Sequence, residues 1–175
     1  MLESEQARLQ ALQRLAILDT PPEERFDRIT RLAIHLFEVD IALVSLVDEA
    51  RQWFKSRQGF PLAQTCRTVS FCAHAIKGEG IFEIEDASKD SRFENNHLVT
   101  SPGGIRFYAG VPLTTSDGFR VGTLCVIDSH PRRLSYAQRQ ALIDLATCVE
   151  EELNRIGLEQ EIVHIREARR RLENP

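Results

Sequence analysis

The run Ile41-Ala42-Leu43-Val44-Ser45-Leu46-Val47 constrains this chain more than any other stretch. Six of its seven residues are apolar, and the β-branched share is high. A strand with one wet face alternates apolar and polar residues, whereas a near-continuous apolar run is covered on both faces. The run therefore predicts an interior strand with layers above and below it. Asp48, Glu49 and Ala50 then turn the chain into a second strand around Gln52–Ser56. So short a connection makes the two strands antiparallel.

The remaining elements follow from period and punctuation. Leu9, Leu12, Leu15 and Ala16 predict an amphipathic helix from Ser4 to about Ile17, broken by Asp19-Thr20-Pro21-Pro22. A second helix starts after Pro22, with acidic residues suited to the positive end of its dipole. Its apolar stripe is Phe26, Ile29, Leu32, Ala33, Leu36 and Phe37. Residues 66–77 contain a short helix after Val69-Ser70, and Ile81–Asp86 reads as a third strand. Ala87–Gly104 is a long polar segment of the kind that forms lids and binding loops. Ile105–Thr114 and Phe119–Ile127 are the last strands, with Ser116-Asp117-Gly118 as their hairpin turn. The order predicts an α+β fold, a central antiparallel sheet of about five strands flanked by helices.

Composition excludes several classes. The 175 residues are 42% hydrophobic and 27% charged, which suits one globular domain. A net charge of −4 offers no basic footprint for nucleic acid. No run approaches the ~20 apolar residues that span a bilayer, and the acidic start is unlike a secretory signal. A cytoplasmic location is therefore expected. Cys66, Cys72, Cys125 and Cys148 show no Cys-x-x-Cys spacing, so no metal site and no disulfide framework is expected.

Certain words in the sequence go further. RLAILDTPPEERFDRITRLA, DIALVSLVDEARQWFKSRQG, SFCAHAI, DSRFENNHLV, IRFYAGVPL and VGTLCVIDSHPR together resemble the GAF superfamily over residues 8 to 155. The subgroup they resemble serves as the sensory end of bacterial histidine kinases and diguanylate cyclases. The resemblance implies a sheet of about six strands with a ligand cavity on one face. The SFCAHAI helix and the DSRFENNHLV loop would roof that cavity. On this reading residues 1–20 carry the N-terminal helix, 21–155 the GAF domain and 156–175 a signalling and dimerisation helix. The ligand or cofactor stays unknown. The cyclic-nucleotide signature of some relatives is missing, Asn95-Asn96-His97-Leu98 lacks the thiol of bilin-binding relatives, and the cysteines do not cluster as in sulfoxide-reducing ones.

The candidate ligand residues are Cys72, His74, Asp86, Arg92, Phe93, Asn96, Arg106 and Tyr108. Cys72 and His74 could share a metal or form a reactive thiolate, but i and i+2 on a helix point apart. The bland alternative is a buried cysteine and a histidine against the neighbouring loop. Arg92, Phe93 and Asn96 could hold a planar or anionic ligand. Equally, Arg92 with Asp86 or Asp90 could pin the loop while Phe93 plugs the core. Arg106 and Tyr108 share one strand face and Phe107 the other, so that face meets either a cavity or covering segments. Trp53 and Phe54 likewise point to opposite faces, with packing expected for Phe54, and Cys125 is expected in the core.

From Tyr136 to Leu172 there is no proline and only Gly157 among glycines. At 1.5 Å per residue such a helix runs ~55 Å, longer than one domain needs. Leu142, Val149, Ile156 and Val163 form one seven-residue series, and Leu158, Ile165 and Leu172 another. Its early turns are expected to pack on the sheet and its later turns on a second copy, giving a homodimer, the alternative being a monomeric surface helix that frays past Gly157. His164 lacks the run that follows a phosphoacceptor histidine. No phosphate cradle, cyclase word or Ser/His/Asp set is visible, so the chain reads as a non-enzyme sensor feeding a kinase or cyclase output. Two other readings stay open: a thiol redox enzyme using Cys72 on a small sulfoxide or peroxide, and a structural dimerisation unit without ligand.

Overall fold

A computed structural model describes residues 2–173, and side chains from residue 5 onward. Six antiparallel strands, β1 (Ile41–Val47), β2 (Arg51–Gln58), β3 (Gln64–Cys66), β4 (Phe82–Ile84), β5 (Phe107–Thr114) and β6 (Arg120–Asp128), form one sheet. Their spatial order is β3-β2-β1-β6-β5-β4. The apolar run 41–47 thus lies inside the sheet, between β2 and β6, with six of its seven residues buried. β3 has only three residues, too few to show a period, and emerges only through its pairing with β2. Gly118, at φ +87°, supplies the left-handed position of the β5–β6 hairpin.

Three long helices cover one face: α1 (Leu2–Arg14), α2 (Glu24–Phe37) and α5 (Tyr136–Glu173). Leu12, Phe26, Ala33, Phe37, Leu142, Val149 and Leu153 meet Val44, Leu46, Phe107, Leu113 and Leu124 there in one apolar cluster. α1 ends at Arg14, short of the expected Ile17, because Ala16 adopts a left-handed φ of 48°. In α2 the inward stripe is narrower than expected. Leu32 and Leu36 face outward, 56% and 51% exposed.

The opposite face carries a second apolar cluster built from β strands and the segment between β3 and β5. That segment holds α3 (Cys72–Ala75), α4 (His97–Thr100) and single 3-10 turns at Arg67–Val69 and Ala87–Lys89. Ala87–Gly104 is thus a chain of short turns rather than an open loop.

A bulge in β2 sets which side chains reach the helices. Val44 pairs with Ser56 but Ser45 with Phe54, so Lys55 is the extra residue. Lys55 and Ser56 both turn toward the helical layer. Lys55 Nζ donates to Thr20 Oγ1 at 2.7 Å and Pro21 O at 2.8 Å, and meets Glu23 Oε2 at 2.6 Å. A fully buried ammonium is tolerable only with such partners. Among the described residues, no helix is long and apolar enough to cross a membrane.

Candidate functional site

The face roofed by α3 and residues 87–104 is where the eight candidate residues fall. Phe93 is buried and stacks on Phe71 with ring centroids 4.1 Å apart and planes 8° from parallel. Phe71 in turn stacks on Tyr108 at 5.2 Å. Tyr108 has no exposed surface, and its ring lies over Gly110, where an added Cβ would stand 2.3 Å from the Tyr108 hydroxyl. Gly110 is therefore what admits the tyrosine beneath the roof.

Cys72, at the start of α3, points inward. Its Sγ accepts from Tyr108 Oη at 3.3 Å and lies 4.0 Å from Cys125 Sγ. His74 points away to the outer side of Phe93, edge-on at 4.9 Å. Burial, then the cations of Lys77 and Arg92, hold its pKa below the ordinary histidine value. The two side chains of this i, i+2 pair thus meet different surroundings, Tyr108 and Cys125 for Cys72 and Phe93 for His74.

The polar candidates secure the roof's backbone. Arg92 Nε and Nη2 donate to Asp90 at 2.9 and 2.6 Å, and its guanidinium lies over Phe82 and Phe93. Asp90, not Asp86, is the partner, and the Arg92 hydrogen bond holds its carboxyl below the usual range. Asp86 instead caps the turn Ala87–Lys89 through Ser88 N and Oγ, at 3.2 and 2.6 Å. Asn96 caps α4 at Leu98 N (3.0 Å) and donates to Val69 O at 2.9 Å. Arg106 Nη1 donates to the carbonyls of Val99, Ile105 and Gly104 at 2.8, 3.1 and 3.3 Å. So Cys72, Phe93 and Tyr108 share one buried cluster, while Asp86, Asn96 and Arg106 hold chain segments around it.

The sequence reading missed a set of polar side chains in the floor. Ser70 Oγ and Ser45 Oγ donate to Gln52 Oε1 at 2.5 and 3.3 Å, and Gln52 Nε2 donates to Thr65 Oγ1 at 2.7 Å. The Thr123 hydroxyl lies beside both sulfurs, fully buried, without a hydrogen-bond partner of ordinary geometry. Single polar residues inside apolar strands, Ser45 and Thr123, were the available signal. Burial disfavours both thiolates. The Cys125 thiol and the hydroxyls of Ser45, Thr123 and Tyr108 favour charge on Cys72, which is the more acidic of the two, while Cys125 is pushed well above the ordinary thiol value.

The hollow that remains, bordered by Gln52, Phe71, Cys72, Leu98, Tyr108 and Ile127, has a volume of about 20 Å³. One water needs about 10–15 Å³ on this measure. The open ligand cavity implied by the sequence resemblance is thus closed in this structure. A larger groove of about 740 Å³ runs between α1, the β5–β6 hairpin and α5, beside Leu15, Asn154, Gly157, Val163 and His164. Elsewhere, Asp40, Asp128 and His130 bring potential ligand atoms within 4.8 Å of one another. Their oxygens are engaged by Ser129 Oγ at 2.6 Å and Arg132 Nη2 at 2.8 Å.

The family model of the GAF domain matches residues 21–153, which span the six-stranded sheet and its roof. The chain belongs to the GAF domain family. A Pseudomonas aeruginosa cyclic di-GMP phosphodiesterase is 45% identical over 130 residues, 74% of this chain. The chain spans 22% of that protein's length. The GAF domain of Thermosynechococcus elongatus PixJ, in its blue-light-absorbing form, superposes with a TM-score of 0.61 at 20% identity, covering 91% of this chain and 96% of that one. Free methionine-R-sulfoxide reductase from Neisseria meningitidis gives 0.60 at 19% identity, over 87% and 92%. Identities this low carry the fold alone. The non-enzyme reading of the sequence is corrected by these relatives: one is named as a phosphodiesterase, and GAF folds include sulfoxide reductases. Missing catalytic words describe only the motifs sought, not what a GAF protein does.

Proposed function

We propose that this chain is a regulatory GAF module whose output is its terminal helix, acting within or beside a protein that turns over cyclic di-GMP. The signalling setting rests on the phosphodiesterase relative. The output role rests on one observation: α5 outruns the domain it packs on. Leu142, Ala146, Val149, Leu153 and Ile156 are buried against the sheet, and Glu150 Oε1 and Asn154 Oδ1 accept from Thr114 N and Ser116 N. From Leu158 onward every described side chain is exposed. Yet Leu158, Ile165 and Leu172 still repeat every seven residues, 62%, 59% and 84% exposed, with Ile162 between the first two. Sixteen such residues carry α5 about 24 Å beyond its last buried residues. A helix that presents an apolar seam to water is stabilised by a matching helix, and a second copy supplies one in register. A change in the domain that favours one packing of α5 shifts the population of the pair.

Light scattering of the chain at tens of micromolar tests this. The wild type is expected as a dimer, and Leu158→Asp with Ile165→Asp as a monomer. Both side chains are exposed on the single chain, so the helical content of the protomer should be kept by circular dichroism while the dimer is lost. A monomeric wild type overturns the reading.

A second reading has support in the unpartnered Thr123 hydroxyl and the Gln52 network. Buried polar groups normally find partners, so a small polar guest that lifts the roof would complete this set. A thermal-shift screen of nucleotides, amino acids and bilins separates the readings. A ligand-specific rise in the midpoint supports the guest, and no response across the panel removes it.

A further inference from the structure

Cys72 and Cys125 come from segments 53 residues apart and meet inside the roofed core, sulfur to sulfur at 4.0 Å. We propose that they form a peroxide-oxidisable pair, a thiol–disulfide site that joins the roof helix α3 to the central strand β6. The two exposed thiols, Cys66 and Cys148, take no part. This inference stands independently of the α5 relay.

The geometry carries it in three ways. First, a disulfide needs sulfurs about 2.05 Å apart, so each must approach by only about 1 Å. Cys72 sits on a helix of four residues at the edge of the roof, and so short an element can shift more readily than a sheet strand. Second, a hollow in the roofed core borders Cys72 and Tyr108 and has room for a water-sized guest. Hydrogen peroxide is one oxygen larger than water, whereas a sulfoxide-bearing amino acid is far too large. Third, Tyr108 Oη donates to Cys72 Sγ at 3.3 Å, which singles out Cys72 as the sulfur that attacks. Its greater acidity relative to Cys125 points the same way.

The chemistry balances with peroxide as the oxidant. The Cys72 sulfur attacks one peroxide oxygen; the S–O bond forms, the O–O bond breaks, and the departing hydroxide takes the thiol proton as water. Cys125 then attacks the sulfur of the Cys72 sulfenic acid. The S–S bond forms, the S–O bond breaks, and the second hydroxide leaves with the Cys125 proton. Two thiols lose two electrons, and one peroxide becomes two waters. Reduction by a dithiol reverses the link.

The test uses the chain with Cys66→Ser and Cys148→Ser, two surface changes that leave the pair native. After hydrogen peroxide treatment in native buffer, the intact mass should fall by two hydrogens. Alkylation after denaturation should modify no cysteine, against two before treatment, and dithiothreitol should restore both. Proteolysis should yield one fragment joining Cys72 to Cys125. With Cys125→Ser added, dimedone should label Cys72 and no link should form. Two thiols still alkylated after treatment overturn the proposal. So does a mass gain of two or three oxygens on Cys72 with Cys125 left free, or a link formed only between separate chains.

Discussion

The two faces of the sheet are both buried, yet they are covered by different kinds of structure. On one face lie helices of 13, 14 and 38 residues. On the other, no helix among the described residues exceeds four residues. A long helix satisfies its own backbone, so its side chains are free to be apolar, and this face is packed by leucine, valine and phenylalanine. A roof of turns leaves carbonyls and amides without partners. Side chains must then supply them, and Asp86, Asp90, Asn96 and Arg106 do so. Residues that look like ligand contacts in the sequence are, in the closed structure, the scaffolding of an irregular lid.

A matched pair of substitutions tests this contrast with the largest effect. Phe26 and Phe93 are equally buried, one under the helices and one under the roof. Phe→Ala in a core costs about 3–5 kcal/mol, and the cost falls where neighbours can settle into the space. Phe26→Ala should therefore sit near the top of that range and Phe93→Ala near the bottom, by urea unfolding. Hydrogen exchange should quicken only across 67–105 in the Phe93 variant. Equal costs with global effects in both would erase the distinction.

Arg106→Met is the next smaller test. It keeps the stem but strips three carbonyls of their donor, at a cost of about 1–3 kcal/mol. The amides of residues 98–105 should lose protection while those of α2 keep theirs. Unchanged protection in the roof would mean that the turns hold themselves.

The smallest effect concerns the seam between the two coverings. Glu5 on α1 accepts from Arg8 Nε at 2.8 Å and from Arg67 Nη1 at 2.7 Å, so it ties the helical layer to the roof's edge. The Arg8 hydrogen bond, then that of Arg67, lowers its pKa from 4.5 to about 2 against the opposing effect of burial. A depressed carboxyl stabilises the fold fully above pH 4.5, and the contribution drains away as pH falls toward 2. The side chain is 37% exposed, so solvent screening keeps the gain to about 1 kcal/mol or less. Glu5→Gln should flatten the stability profile between those two pH values and lower stability by a near-constant amount, about 1 kcal/mol or less, above them. A wild-type slope retained in the variant would assign the acid sensitivity elsewhere.

Local rules read some of these elements directly and fail at others for a definite reason. The strand 41–47, the hairpin at Gly118 and the length of α5 are properties of neighbouring residues, set by period, breakers and turn chemistry. Leu32 and Leu36 fit the helical period of α2 as well as Phe26 does. They nonetheless face outward, because the sheet covers only part of that helix. The roof was harder still. Its polar residues are compatible with gripping a guest or gripping the chain, and Arg92 has acidic residues on both sides to choose from.

The amino-acid sequence alone determined the family, the antiparallel α+β plan and a terminal helix too long for its domain, since periodicity and recurring words are written residue by residue. Only the tertiary structure decided that the hollow beneath the roof is shut and that Arg92 pairs with Asp90. It also brought Cys72 and Cys125 to within 4.0 Å, across 53 residues of chain. The physical reason is that volume and long-range contact are sums over many segments, and no single segment encodes them.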